Sequence, residues 1–262
     1  MKKYRRALIT GATSGIGAAF ASHLIRSTDL LLAGRDAEKL EITRNELIRR
    51  GRKVETFAAD LTDESAVNEL VDRADAFGID LLINNAGIGQ FGRLIDHERD
   101  TERDTAMLNV VAVVVLTRGL LPGIIERAGR ANERGGVVIV SSTAAFAPVP
   151  FFATYAASKA FSLYFTEALA EELRGDPVDI LALCPGATKT GFSARAGLDR
   201  ISVPGAADPG AVAREALDAL GNKTVQVTGL LSQATLGPFL VPRRLVTGAL
   251  AAAVRYFNAR QS

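Results

Sequence analysis

Cysteine occurs once and histidine twice in the 262 residues of this chain. A single cysteine, Cys184, excludes an internal disulfide and fits a reducing compartment. Beside the apolar Ala182 and Leu183 it reads as a small buried hydrophobe, not a nucleophile. His23 and His97 have no Cys or His partner at ligand spacing, so no transition-metal site is expected. No charge sign dominates: 31 basic and 29 acidic residues leave a net +2. Spread along the chain, they form no basic stripe for nucleic acid. Long apolar runs are read as missing too, none reaching the ~18 residues of a membrane span. The basic start Met1-Lys2-Lys3-Tyr4-Arg5-Arg6 precedes only Ala7-Leu8-Ile9, too short for the core of a signal peptide. A soluble cytoplasmic protein is expected. Hydrophobic residues at 48% and charged residues at 23% match an ordinary globular protein. With no low-complexity linker and no repeat, one domain over residues 1–262 is favoured over two small ones.

Short apolar runs alternate with longer amphipathic ones, the pattern of βαβ units. Strands are expected at 7–10, 30–33, 54–58, 81–84, 137–140 and 178–183, with a short seventh at 225–227. Helices are expected at 15–27, 37–50, 64–77 (capped by Asp63), 100–128 and 152–174. Strands that are apolar along their whole length imply burial on both faces, as parallel sheets require. Right-handed crossovers then give a doubly wound α/β sheet of about seven strands flanked by helices. Two segments look like additions: the polar stretch Glu126 to Gly136, and residues 187–210, which read as a loop over the site.

The first strand ends in Thr10-Gly11-Ala12-Thr13-Ser14-Gly15-Ile16-Gly17. Glycines at a strand-to-helix turn let a pyrophosphate reach the backbone amides, and the helix N-terminus favours its charge. The spacing is Gly-x-x-x-Gly-x-Gly, and no Gly-Lys-Ser/Thr follows, which removes the ATPase reading. Dinucleotide folds usually carry an acid at the end of the second strand. Gly34 stands there, followed by Arg35, whose guanidinium suits a 2′-phosphate. NADP(H) is therefore favoured over NAD(H), while Asp36 swinging in would favour NAD. Asp60, after the third strand, could accept from an adenine amino group or simply serve as a turn carboxylate.

Tyr155 and Lys159 are one helical turn apart. A phenol titrates near ~10, and an adjacent cation should lower that value toward useful acid–base chemistry. Ser142, at the end of the fifth strand, would aim its hydroxyl at the same space. Both groups fall at the carboxyl ends of strands, where open α/β sheets bind ligands.

With these residues the chain resembles the short-chain dehydrogenase/reductase family over residues 7–230. The matching pieces are the glycine turn at 10–17, Asn84-Asn85-Ala86-Gly87, Asn109, Ser141-Ser142, Tyr155-x-x-x-Lys159, and Pro185-Gly186 with Thr188 and Thr190. The resemblance implies a Rossmann-type fold and a catalytic centre of Asn109, Ser142, Tyr155 and Lys159. Tyr155 would be the general acid/base in the interconversion of a carbonyl and an alcohol by hydride transfer. Lys159 would also bind the nicotinamide ribose, and Asn109 would hold a water in a proton relay. Cofactor contacts would come from Gly11, Thr13, Ser14, Gly15, Ile16, Gly17, Arg35, Asp60, Leu61, Asn84, Ala86, Gly87, Tyr155, Lys159, Pro185, Gly186, Thr188 and Thr190. The family generally forms homodimers or homotetramers.

Ala144, Phe146, Phe151, Phe152 and the 187–210 loop are the expected substrate region, whose apolar side chains suggest a hydrophobic small-molecule carbonyl or alcohol. Arg195 and Arg200 are its exceptions. The tail at 236–262 reads as an amphipathic helix packed on the body or on a second subunit. Its Arg243, Arg244, Arg255 and Arg260 beside apolar residues would also fit a membrane surface. Two rivals stay open: a catalytically silent NADP-binding sensor or scaffold, and a dehydratase or epimerase on the same fold.

Overall fold

The computed structural model describes residues 3–48, 52–198 and 205–229, together with residue 245. Apart from residue 245, the tail at 236–262 with its membrane-surface reading lies outside that description, as do residues 199–204 of the predicted loop. β1 (Arg6–Thr10), β2 (Asp29–Gly34), β3 (Val54–Ala58), β4 (Leu81–Asn84), β5 (Gly135–Val140), β6 (Val178–Pro185) and β7 (Val225–Thr228) form one sheet. Its order is β3-β2-β1-β4-β5-β6-β7, and every pairing is parallel. The order reverses between β1 and β4, so the crevice that a doubly wound sheet offers to ligands opens there.

Strand alternation builds the two helical layers. Ile9, Leu30, Leu32, Leu81, Ile83, Val138 and Leu181 face one side. They meet Phe20 of α1 (Gly15–His23), Leu40 of α2 (Ala37–Ile48) and Leu217 of α8 (Pro209–Ala219). Leu8, Leu31, Leu82, Val137, Ile139 and Ile180 face the other, against Leu70 of α3 (Glu64–Phe77) and Leu116, Leu120 and Ile124 of α5 (Ala112–Ala131). Burial of both sets is why no polar alternation shows in the strand sequences. Asp63 caps α3 by accepting from the Ser65 amide, and Gly78 ends it in the left-handed region.

Two expectations change. The polar stretch Glu126 to Gly136 is not an inserted connection, because α5 continues to Ala131 before β5 begins. The chain also does contain a helix long and apolar enough to cross a membrane by length and composition. Arg99–Ala131 runs as α4 (Arg99–Ala106), a π turn (Met107–Val111) and α5 without a break. Scattered charges and Pro122 hide this run from a count of unbroken apolar residues. Half of its apolar window is buried inside the molecule, and it forms one helical layer on the sheet.

Candidate active site

At the reversal point, side chains lace the ends of β1 and β4 together. The Thr10 hydroxyl accepts from the Asn85 and Ala86 amides, both at 3.0 Å. Asn85 Nδ2 donates to the carbonyls of Thr10 at 2.9 Å and Gly11 at 3.2 Å. Gly11 and Gly15 sit in the left-handed region, at φ 64° and 56°. A Cβ at Gly11 would come within 2.9 Å of Asn85 Nδ2, and one at Gly15 within 2.8 Å of Thr190 Cγ2. The turn therefore keeps its backbone bare by necessity.

A cleft of about 600 Å³ runs from this turn in both directions. Of the expected residues, Gly11, Thr13, Ser14, Gly15 and Ile16 line it from the turn, and Arg35, Asp60 and Leu61 from the ends of β2 and β3. Ala86 and Gly87 follow β4; Ser142, Tyr155 and Lys159 form the deep end; Pro185, Gly186, Thr188 and Thr190 follow β6.

Three expected residues do not line it. Gly17 is buried in α1, where a Cβ would lie 2.3 Å from the Gly11 carbonyl oxygen, so it closes the turn from behind. Asn84 is buried within β4 and donates to the Thr117 hydroxyl on α5 at 3.0 Å. The neighbouring Asn85, part of the matching Asn84-Asn85-Ala86-Gly87 piece but not among the expected contacts, lines the cleft instead. Strand period could have shown this: Asn84 follows Leu82 by two residues and so shares its face, toward α5. Asn109, on the π turn, is buried behind the Gly87–Ile88 backbone. Its Oδ1 accepts from the Ile88 amide, while its Nδ2 donates to the Ile88 carbonyl and the Ser158 hydroxyl. A Cβ at Gly87 would lie 3.2 Å from both Asn109 Oδ1 and Lys159 Nζ, so the two groups converge on that glycine.

The N-terminal half of α6 (Ala153–Glu172) is pinned to β5. Ser141 Oγ donates to the Lys159 carbonyl at 2.7 Å, and Lys159 Nζ donates to the Val140 carbonyl at 2.9 Å. Lys159 is buried, and that burial brings it down to about 8 despite the opposing effect of Cys184. Its Nζ lies 5.7 Å from the centre of the Tyr155 ring. The expected lowering of the phenol does not occur. Burial dominates and pushes Tyr155 up to about 12, with the hydrogen bond to the Ser142 side chain pulling the other way. Ser142 Oγ also accepts from the Ala144 amide at 3.1 Å, which orients it.

Aromatic rings enclose the phenol. Phe152 stacks on Tyr155 with centroids 4.3 Å apart, and Phe192 of α7 (Phe192–Arg195) lies at 5.2 Å. Of the expected substrate residues, Ala144 and Phe152 line the cleft. Phe146 instead packs against the cluster of Leu163, Ala182 and Cys184, and Phe151 is exposed with φ 64°. Two main-chain bonds join the three loops of the rim: Phe91 N donates to Ala196 O and Gly92 N to Phe151 O, both at 2.8 Å.

At the far end, Arg35 pairs with Asp60 at 3.7 Å and Lys39 with Asp36 at 2.7 Å. Burial pushes the Asp60 carboxyl up, but hydrogen bonds from Thr62 and the Arg35 charge hold it below its ordinary value. The hydrogen bond from Lys39 lowers Asp36. No cluster of metal-ligating side chains exists among the described residues.

A family model described as short chain dehydrogenase matches residues 5–200. The chain is 33% identical over 224 residues to the ketoacyl reductase HetN of Nostoc sp., covering 84% of this chain and 76% of that protein. Among solved structures, a short-chain dehydrogenase from Sphingobium yanoikuyae in complex with NADPH is similar at a TM-score of 0.80 and 29% identity, over 92% of this chain and 94% of that one. A short chain dehydrogenase/reductase from Burkholderia phymatum in complex with NAD is similar at 0.78 and 28%, over 89% and 92%.

Proposed function

From the premise that this chain belongs to the short-chain dehydrogenase/reductase family, a family of nicotinamide-dependent oxidoreductases, we propose that it interconverts a small-molecule carbonyl and its alcohol with Tyr155 as general acid/base. One observation carries the reading: a buried phenol, hydrogen-bonded to Ser142, closes the deep end of the cleft that begins at the glycine turn.

The residues present suit a nicotinamide dinucleotide. The turn at Gly11 and Gly15, whose left-handed backbone and close neighbours Asn85 and Thr190 exclude a Cβ, leaves room for a pyrophosphate beside Ser14, Ile16, Thr188 and Thr190. Lys159 and the loop of Ala86 and Gly87 would hold the ribose end. When bound, the cofactor supplies or accepts the hydride. Ser142 and Tyr155 hydrogen-bond the substrate oxygen and fix it against the phenol. A phenol raised to about 12 stays protonated at neutral pH, which suits proton donation to a carbonyl oxygen and hence reduction. Asn109 acts from behind by holding the Ile88 backbone, not by touching substrate.

NADP(H) is the preferred form in this reading. Gly34 presents no acid, and a Cβ there would already press on Thr13 Cγ2 at 3.3 Å. Arg35 at the rim is the cation for a 2′-phosphate, while Lys39 occupies Asp36, the residue that would favour NAD. The half-buried outer face of the long helix, with Val110, Val111, Val114 and Val115, suits packing against a second copy in a homodimer or homotetramer. Tyr155→Phe tests the proposal. Turnover with a panel of ketones and aldehydes should disappear while the Kd for NADPH, read by its fluorescence, stays within about twofold of the parent. Turnover that survives would remove Tyr155 from its role.

A further inference from the structure

Among the described residues, the charged side chains lining the cleft have partners, with one exception. Arg35 faces Asp60, Lys39 faces Asp36, and buried Lys159 donates to the Val140 carbonyl. Arg195, the last residue of α7, lines the same cleft and forms no ion pair with any acidic side chain among the described residues. The residue is exposed, yet its guanidinium is not fully extended into solvent. It lies back over Gly191, where a Cβ would stand 2.7 Å from Nη1. That bare glycine gives the planar head its place on the cleft wall. The side chains around it at the Tyr155 end are apolar: Phe152, Phe192 and Leu198. The acids of the cleft, Asp36 and Asp60, stand at its opposite end beside their own cations.

We propose that Arg195 receives an anionic group of the substrate, so that the molecule reduced is a carbonyl compound with an apolar body and a carboxylate or phosphate. This rests on the reading of Tyr155 as the proton donor. The apolar body lies against Phe152, Phe192 and Leu198, and the anion reaches the guanidinium at the rim. A guanidinium offers its N–H groups as a fork that matches carboxylate or phosphate oxygens in pairs. Arg195 is exposed, so water and salt screen the pair on its outer side and the preference is read best at low ionic strength.

The same anionic oxygens exist on the cofactor. Thr190, the neighbour of Gly191, touches the glycine turn at Gly15, so a pyrophosphate is the rival partner. The experiment separates the two on NADP-loaded protein, by calorimetry and by kinetics. The probes are matched pairs: acetylbenzoate and its methyl ester, levulinate and its methyl ester. The parent protein should bind and reduce the acids better than the esters. Arg195→Gln should weaken the acids by about tenfold and leave the esters and the Kd for NADPH unchanged. Arg195→Lys should recover part of that preference, and added salt should raise KM for the acids only. Equal losses for acid and ester, no acid preference in the parent, or no binding of any probe would each overturn the proposal. So would a weakened Kd for NADPH with the acid-to-ester ratio intact, which would give Arg195 to the cofactor. Calorimetry reads the ratio without turnover, so failure of the Tyr155 reading shows separately, as acid-selective binding with no reduction.

Discussion

Replacing Gly89 with alanine would drive a methyl group into the ring of Tyr155. The new Cβ would lie 2.6 Å from Tyr155 Cδ2 and 3.0 Å from its Cβ and Cγ. Ordinary contact begins near 3.4 Å, so about 0.8 Å of separation must be found. Gly89 is not in the left-handed region, so the backbone itself tolerates a side chain and the conflict is purely one of space. The ring has little freedom to retreat, since Phe152 stacks on it at 4.3 Å and Phe192 stands at 5.2 Å. Overpacking of this kind costs about 1–3 kcal/mol of stability. A proton donor displaced by about 1 Å costs on the order of 100-fold in rate. Gly89→Ala should therefore lower kcat toward a hundredth while leaving the Kd for NADPH nearly unchanged and the circular-dichroism melt only a few degrees lower. A variant that folds, binds NADPH and turns over at the parent rate would refute the claim that this ring position matters.

Thr10→Val should destabilise the protein by about 2–4 kcal/mol in urea unfolding, because it leaves the Asn85 and Ala86 amides without their shared acceptor; an unchanged midpoint would show that the lacing is dispensable. Lys159 gives a pH dependence whose sign follows from its burial. Its value falls from 10.5 to about 8 on folding, so between those limits the unfolded chain binds a proton that the folded chain has shed. Stability should rise with pH across that window, by about 3 kcal/mol in full, and the buried charge weighs against folding below pH 8. Lys159→Met should abolish this rise, and parallel stability curves for the two proteins would contradict it. Arg35→Gln should weaken NADPH by about tenfold and leave NADH unaffected in fluorescence titrations; equal effects on both would return the choice of cofactor to other residues.

Most of the sheet can be read from the sequence because burial on both faces leaves uninterrupted apolar strands, and even the short β7 announces itself as Val225-Gln226-Val227. The site is legible where chemistry demands a residue type: bare glycines at the turn, and a phenol one helical turn from a lysine. It is less legible where neighbours decide. Asn84 and Asn85 are identical in kind, and only the face of β4 separates them. Tyr155 and Lys159 stand at the expected spacing, yet spacing says nothing of burial, which outweighs the ammonium and raises the phenol. Phe151 and Phe152 differ in the same way, one turned outward in a left-handed conformation and the other stacked in the cleft. The apolar helix at Arg99–Ala131 is hard to see in the sequence because its charges mark a solvent-facing edge, which composition along the chain cannot distinguish from an interruption.

The two bonds that tie the rim, Phe91 to Ala196 and Gly92 to Phe151, run from main chain to main chain. Such ties use no side-chain atoms, although Gly92 at φ 149° and Phe151 at φ 64° hold backbone conformations that limit what those two positions can carry. The mouth can therefore change what it admits, through exchanges at Phe192 or Leu198, without removing either bond between the loops that frame it. Libraries that vary those positions should yield folded proteins with shifted selectivity.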